Sequence, residues 1–336
     1  MPTRPRPRPA LIWAALLILY VVWGSTYIGI RVAVETIPPF FMAASRFALA
    51  GAVMLGVAVI RARGTITLPS RREWRDSFIV GAFLMGGGMG TVALGERTVP
   101  SGIAALLIAM MPVWVAVLGR FFLGERLPPI AMLGIVVGLV GVGILVGPSG
   151  TAGDRLDTGG IAALIISPIS WATGSLFSAN RARLPRDPLI ATGAQMFAGG
   201  LILATMAAVT GEFGHLRLEA ISGASIAAFF YLALVGSLIA FTAYVWLLRV
   251  APLPLIATYA YVNPVVAVGL GALILGEEIT PRRLIAGGVI VLAVALIITA
   301  RSRFSRVSGR RPEASPPARP AASDTPQDKA APEAAA

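Results

Sequence analysis

The chain has 336 residues and no cysteine; 56% of its side chains are hydrophobic, 13% are charged, and its mean hydropathy is +0.80. Too little polar surface remains to cover a water-soluble globule of this length, so the composition places the chain in a bilayer. A net charge of +12 would suit a nucleic-acid partner only if the basic residues formed a folded patch, and they fall instead in short loops and tails.

Residues 1–10 alternate Arg and Pro, cannot form a helix on that pattern, and are expected to be disordered. A basic stretch before an apolar run is also how a signal peptide begins. The run from Leu11 is too long for one and no small-residue cleavage pattern follows, so it reads as a retained first helix. A crossing helix needs about 20 apolar residues, and ten runs qualify: roughly 11–33, 40–60, 77–95, 100–119, 129–147, 159–179, 189–209, 225–247, 253–275 and 283–300. The expected fold is therefore an all-α membrane protein with ten transmembrane helices. The tail, 302–336, is rich in Pro, Ala and Ser and is expected to be disordered and solvated, with attraction to lipid headgroups as the functional alternative.

Basic residues lie mostly on one side of these helices. With the N-terminus cytoplasmic, 21 of the 28 Lys and Arg fall in inner segments and six in outer loops, while Arg46 lies inside the second helix. Both termini are thus expected on the cytoplasmic side of the plasma (inner) membrane.

The two halves match at an offset of 152 residues. Arg97 pairs with Arg249, Pro100 with Pro252, Pro112 with Pro264, Gly119 with Gly271, and Leu123, Gly124, Glu125 with Leu275, Gly276, Glu277. The expected organisation is a first repeat over 11–147, a linker over 148–158 and a second repeat over 159–301. Five helices per repeat make the second enter the membrane from the opposite side, so the halves are inverted repeats with a site expected near the midplane between them. Trp23, Gly24 and Ser25 against Trp171, Ala172 and Thr173, and Arg46 against Gln195 with Gly51 against Gly200, extend the pairing.

Trp-Gly-Ser at 23–25, Arg-Phe at 46–47, Pro112, and Leu-Gly-Glu-Arg at 123–126 echoed by Leu-Gly-Glu-Glu at 275–278 resemble the EamA-type members of the drug/metabolite transporter superfamily. The resemblance covers about residues 10–301. It implies a ten-helix inner-membrane carrier, commonly an exporter of amino acids, other metabolites or drugs.

Arg46 stands out because a guanidinium inside a membrane helix costs about 2.5–3.5 kcal/mol on insertion scales. It is expected either to clamp a carboxylate substrate or to pair with Glu96 or Glu35. All sixteen acidic residues fall at helix ends, loops or tails, so a proton relay at mid-membrane is disfavoured and boundary acids such as Glu96 remain for coupling. The Leu-Gly-Glu turns, with Gly124, Glu125, Gly276 and Glu277, end two helices before Pro129 and Pro281. Their glutamates are expected to pair locally with Arg126 or Arg282, with gating as the second reading.

Polar and aromatic groups inside the spans are the expected cavity lining: Trp23, Ser25, Thr26 and Tyr27, then Trp114, Trp171, Gln195 and Tyr244, and Tyr259, Tyr261 and Asn263 beside Pro264, with interface anchoring as the alternative for Tyr27 and some of the tryptophans. Gly86, Gly87, Gly88 and Gly90 lack the Gly-Lys-Ser/Thr of a phosphate loop and fit close helix packing. Gly134 and Gly138 with Gly287 and Gly288 are expected to bring helices 5 and 10 together or to form a homodimer face. Without cysteine, intramembrane histidine or a carboxylate cluster, a membrane enzyme is disfavoured, and no cofactor or metal is expected. A non-transporting sensor or assembly subunit is the alternative to a transporter, and the expected partners are a small-molecule substrate and the bilayer.

Overall fold

The computed structural model describes residues 9–62, 69–125, 127–147, 157–251 and 253–307, and no strand occurs among them. The helices are α1 (Pro9–Ala33), α2 (Pro39–Ala62), α3 (Arg71–Gly95), α4 (Ser101–Leu123), α5 (Pro129–Val146), α6 (Thr158–Asn180) and α7 (Pro188–Val209). After them come α8 (Gly223–Tyr244, helical on to Val250), α9 (Tyr259–Leu275) and α10 (Pro281–Val307). Among the described residues nine helices are long and apolar enough to cross a membrane, and α9 is a shorter apolar helix of 17 residues.

Several boundaries differ from the apolar runs. The third helix starts at Arg71, not 77, because Ser70 and Glu73 form a capping box: the Glu73 N–H donates to Ser70 Oγ, and the Ser70 N–H to Glu73 Oε2 at 2.7 Å. Hydropathy stops where charge begins, but the helix does not. The ninth run is split into a single turn, Leu253–Ile256, and α9. The Thr258 hydroxyl donates to the Leu255 carbonyl at 2.6 Å, taking up an acceptor that a continuous helix would use. Residues 9–10 and 302–307, expected to be disordered, are helical. Pro9 sits at a first helical position where its missing N–H costs nothing, and α10 continues past the membrane run. The calls on residues 1–8, on 308–336 and on most of the linker lie outside the described residues.

α2 packs along α7 and α5 along α10. In the first pair Gly51 and Gly200 let the backbones meet: a Cβ on Gly51 would sit 2.5 Å from Phe197 N, and one on Gly200 2.6 Å from Ala48 N. In the second, Gly134, Gly138 and Gly141 seat Ile297, Ala293 and Ile290 of α10. The small residues of helix 5 are thus spent on packing inside this chain. Large apolar side chains such as Phe121 and Leu273 are at least 80% exposed on the outside of the bundle, where hydrocarbon is their solvent.

Candidate functional site

A cavity of about 280 Å³ lies between the helices and is lined from α1–α4 and α6–α9, while α5 and α10 stand outside it. Its walls are where helical regularity fails. Leu19–Trp23, Ala82–Gly90 and Tyr231–Ile239 are wound as π-helix, a form concentrated at functional sites. α4 breaks at Ala109 and Met110, just before Pro112. Pro168 and Pro264 sit inside α6 and α9, and all three prolines line the cavity.

One wall is an aromatic box. Trp23 packs edge-on to Tyr259 with ring centroids 5.0 Å apart, lies 5.3 Å from Tyr244 and 6.4 Å from Phe241, and donates its indole N–H to the Gly236 carbonyl at 3.3 Å. Facing π-surfaces of this kind accept flat apolar groups and cations. Arg46 also lines the cavity and is only 4% exposed. Its Nε donates to Ser237 Oγ at 2.9 Å, and the Ser237 hydroxyl donates to the Leu232 carbonyl at 3.1 Å. Its guanidinium carbon lies 4.8 Å from the Phe47 ring centroid, and Gly236 leaves room for Nη2, which would be 3.4 Å from a Cβ there. The side-chain oxygen of Asn263, which also lines the cavity, is buried with no hydrogen-bond partner.

The residues expected to line a site divide on this geometry. Trp23, Thr26, Arg46, Trp171, Tyr244, Tyr259 and Asn263 border the cavity together with Pro112 and Pro264. Ser25, Trp114, Gln195 and Tyr261 do not. The Ser25 hydroxyl bonds the Val21 carbonyl and Tyr231 Oη (2.6 and 2.5 Å), joining α1 to α8. Trp114 packs on the main apolar core. Residue 195 is at the α3–α7 crossing, where its carbonyl would be 2.4 Å from a Cβ on Gly81. Arg46 forms no ion pair with Glu96, whose carboxylate oxygens have no hydrogen-bond partner, and Glu35 is exposed. Tyr27, expected with Thr26, borders the cavity too; sequence reading missed Ser237, Phe47 and Ser167 as lining residues, although Gly236, Arg46 and Pro168 stand beside them.

The two Leu-Gly-Glu turns share one backbone. Gly124 and Gly276 are left-handed, with φ of 66° and 65°, and the Glu125 and Glu277 N–H groups donate back to Gly119 and Gly271 carbonyls, both at 3.2 Å. Glu277 does not pair with Arg282, whose guanidinium donates to the Ile144 and Gly147 carbonyls. It reaches across to α4, accepting from the Ser101 N–H at 2.6 Å, the Ser101 hydroxyl at 2.7 Å and the Gly102 N–H at 3.0 Å. A carboxylate at the first amides of a helix satisfies donors the helix itself leaves open and meets its positive end. Arg126 lies outside the described residues.

This architecture, a helical bundle of membrane-crossing length around a cavity bordered by a buried cation and an aromatic wall, is that of a multi-pass membrane protein. A model of the EamA-like transporter family matches residues 9–147 and again 158–299. The chain belongs to that family. It is 36% identical over 300 residues to an Escherichia coli K12 protein named uncharacterized inner membrane transporter YedA, covering 87% of this chain and 92% of that one. It is 24% identical to an uncharacterized transporter of Archaeoglobus fulgidus, covering 86% and 99%. A crystal structure with 19% identity superposes with a TM-score of 0.59 over 89% of this chain and 99% of the other, a likeness of fold.

Proposed function

We propose that the protein is a secondary transporter that exports a small metabolite, an amino acid or related compound, or a drug, by alternating access between two inverted five-helix repeats. Both termini face the cytoplasm on this reading, as the basic residues of 61–76 and 181–186 favour. The observation that carries it is Arg46: a guanidinium about 96% buried inside a membrane bundle, bordering a cavity walled by aromatic rings and by the unpartnered Asn263 oxygen. A cation so placed is costly unless it meets a ligand or a partner, and Glu96 is not bonded to it. Arg46 would hold an anionic group, the aromatic box an apolar or cationic one, and Asn263 a hydrogen-bond donor. The duplicated family match and the shared geometry of the Leu-Gly-Glu turns support the repeat. The Glu277 clasp supports a state closed at the end of the bundle that carries residues 96–100.

The test compares metabolites released into the medium by cells overproducing the protein and its Arg46→Ala variant at matched membrane levels. A metabolite enriched severalfold by the wild type alone identifies the substrate class and ties export to Arg46. Identical profiles, followed by no uptake or release in liposomes, would sink the transport reading.

A further inference from the structure

Glu96 follows the last residue of α3, in the turn to α4, and is a group that the proposed cavity does not use. It is fully buried, and neither carboxylate oxygen has a hydrogen-bond partner. Its turn is held from three directions. The Arg31 guanidinium of α1 donates to the Glu96 and Arg97 carbonyls. The Thr98 hydroxyl donates to Asp157, the cap of α6, at 2.8 Å. Glu277, beyond α9, clasps Ser101 at the next helix start. A buried carboxylate that no protein group donates to is expensive, and the neutral acid is what such an enclosure favours. Burial first, then the negative charge of Glu277, pushes the Glu96 carboxyl well above the usual carboxylate range, while Arg31 and Arg46 pull it down.

We propose that Glu96 is a proton-binding site tied to the seam between α4 and α9: it holds a proton while the seam is shut and gives it to water on the extracellular face when the seam opens. The step breaks the carboxyl O–H bond and leaves a hydrated carboxylate, the proton passing to bulk water. The inference rests on the alternating-access reading and adds a coupled ion to it. The charged and titratable groups around Glu96 are Tyr27 and Arg31 of α1, Arg46 of α2, Arg97 of its own turn and Glu277 beyond α9. α6 contributes none along Thr158–Asn180 beyond its Asp157 cap, and neither Thr91–Gly95 of α3 nor Ser101–Ile108 of α4 carries one. The sign follows. The closed form has the higher affinity for the proton, so it is favoured at low pH, and opening gains as pH rises from the ordinary glutamate value of 4.5 towards the raised value of the closed form.

The absence of cysteine makes the test direct. Ile103, 2% exposed in the seam beside Glu277, is changed to cysteine, and its labelling by a membrane-impermeant maleimide in proteoliposomes is divided by that of exposed Glu219→Cys on the same face. The expected ratio rises with external pH by up to about tenfold per unit, the limit for one proton. Glu96→Gln, which mimics the protonated acid, should flatten the slope at a low ratio, while Glu96→Asp keeps it and guards against misfolding. Glu277→Gln should raise the ratio at every pH and, by removing a charge that raises Glu96, narrow the pH range over which it climbs. A slope that survives Glu96→Gln would overturn the proton site alone. If Ile103→Cys is never labelled at any pH, even with Glu277→Gln, alternating access itself fails.

Discussion

The Leu-Gly-Glu turns after α4 and α9 have matching backbones, yet their glutamates face different chemistry. At the offset of 152, Ser101 and Gly102 correspond to Leu253 and Pro254. Glu277 meets two N–H groups and a hydroxyl. At the corresponding positions two of these three donors are missing, because proline has no N–H and leucine no hydroxyl, and the Leu253 N–H alone remains. What this teaches is that one turn geometry does not bring one set of partners: the donors that face its glutamate decide what it holds. At Glu277 they join the start of α4 to the turn after α9.

That contrast is open to attack in order of size. Glu277→Ala removes the acceptor of all three bonds, one partner of hydrogen bonds to a charged group, and is expected to cost the closed seam about 2 kcal/mol. Labelling of Ile103→Cys should then rise about 30-fold, and an unchanged rate would mean that the clasp does not hold the seam. Ser101→Ala removes one donor and makes the site more like Leu253. It is expected to cost about 1 kcal/mol, about fivefold in the same readout. Smallest in its difference is the pair Gly124→Ala and Gly276→Ala. Both positions are left-handed and open, with nothing within 4 Å of an added Cβ, so each substitution should cost about 1 kcal/mol by backbone strain alone. Tryptophan-fluorescence melts in detergent should show equal losses. Unequal ones would place the asymmetry in the turns and not in the donors.

Much of this was readable beforehand, and the failures have physical causes. The spans could be counted because a bilayer demands length and apolarity, and Arg46 could be singled out because charge inside a span is costly. Which face of each helix meets the cavity was not readable. Ser25 and Thr26 are neighbours in sequence, but the Ser25 hydroxyl ties α1 to α8 while Thr26 borders the cavity. With apolar residues on every side of a lipid-borne helix, there is no hydrophobic stripe to give its phase. π-helical turns shift that phase further. The sequence shows Glu96 as an acid at a helix end, but not that it is buried. The turn that holds it is roofed by Arg31, Asp157 and Glu277, contacts between residues 59 to 176 positions apart that no local pattern announces. The signal that was available and unused was Ser70 with Glu73, a capping box that starts α3 six residues before its apolar run.

The three π-helical stretches carry a further consequence. Each holds about one residue more than an ordinary helix of the same length, so deleting a single residue within Ala82–Gly90 or Tyr231–Ile239 would let the segment rewind to α-helix. In an ordinary helix the loss of one residue turns everything beyond it by roughly 100°, whereas here rewinding absorbs the loss and only side chains within the stretch change direction. Arg46 would lose the hydroxyl of Ser237, or Trp171 the glycines it packs on. Insertions and deletions of one residue, ordinarily ruinous inside a membrane helix, are here a route by which the wall of the cavity can be rebuilt while the helix count, the turns and the outer surface stay as they are.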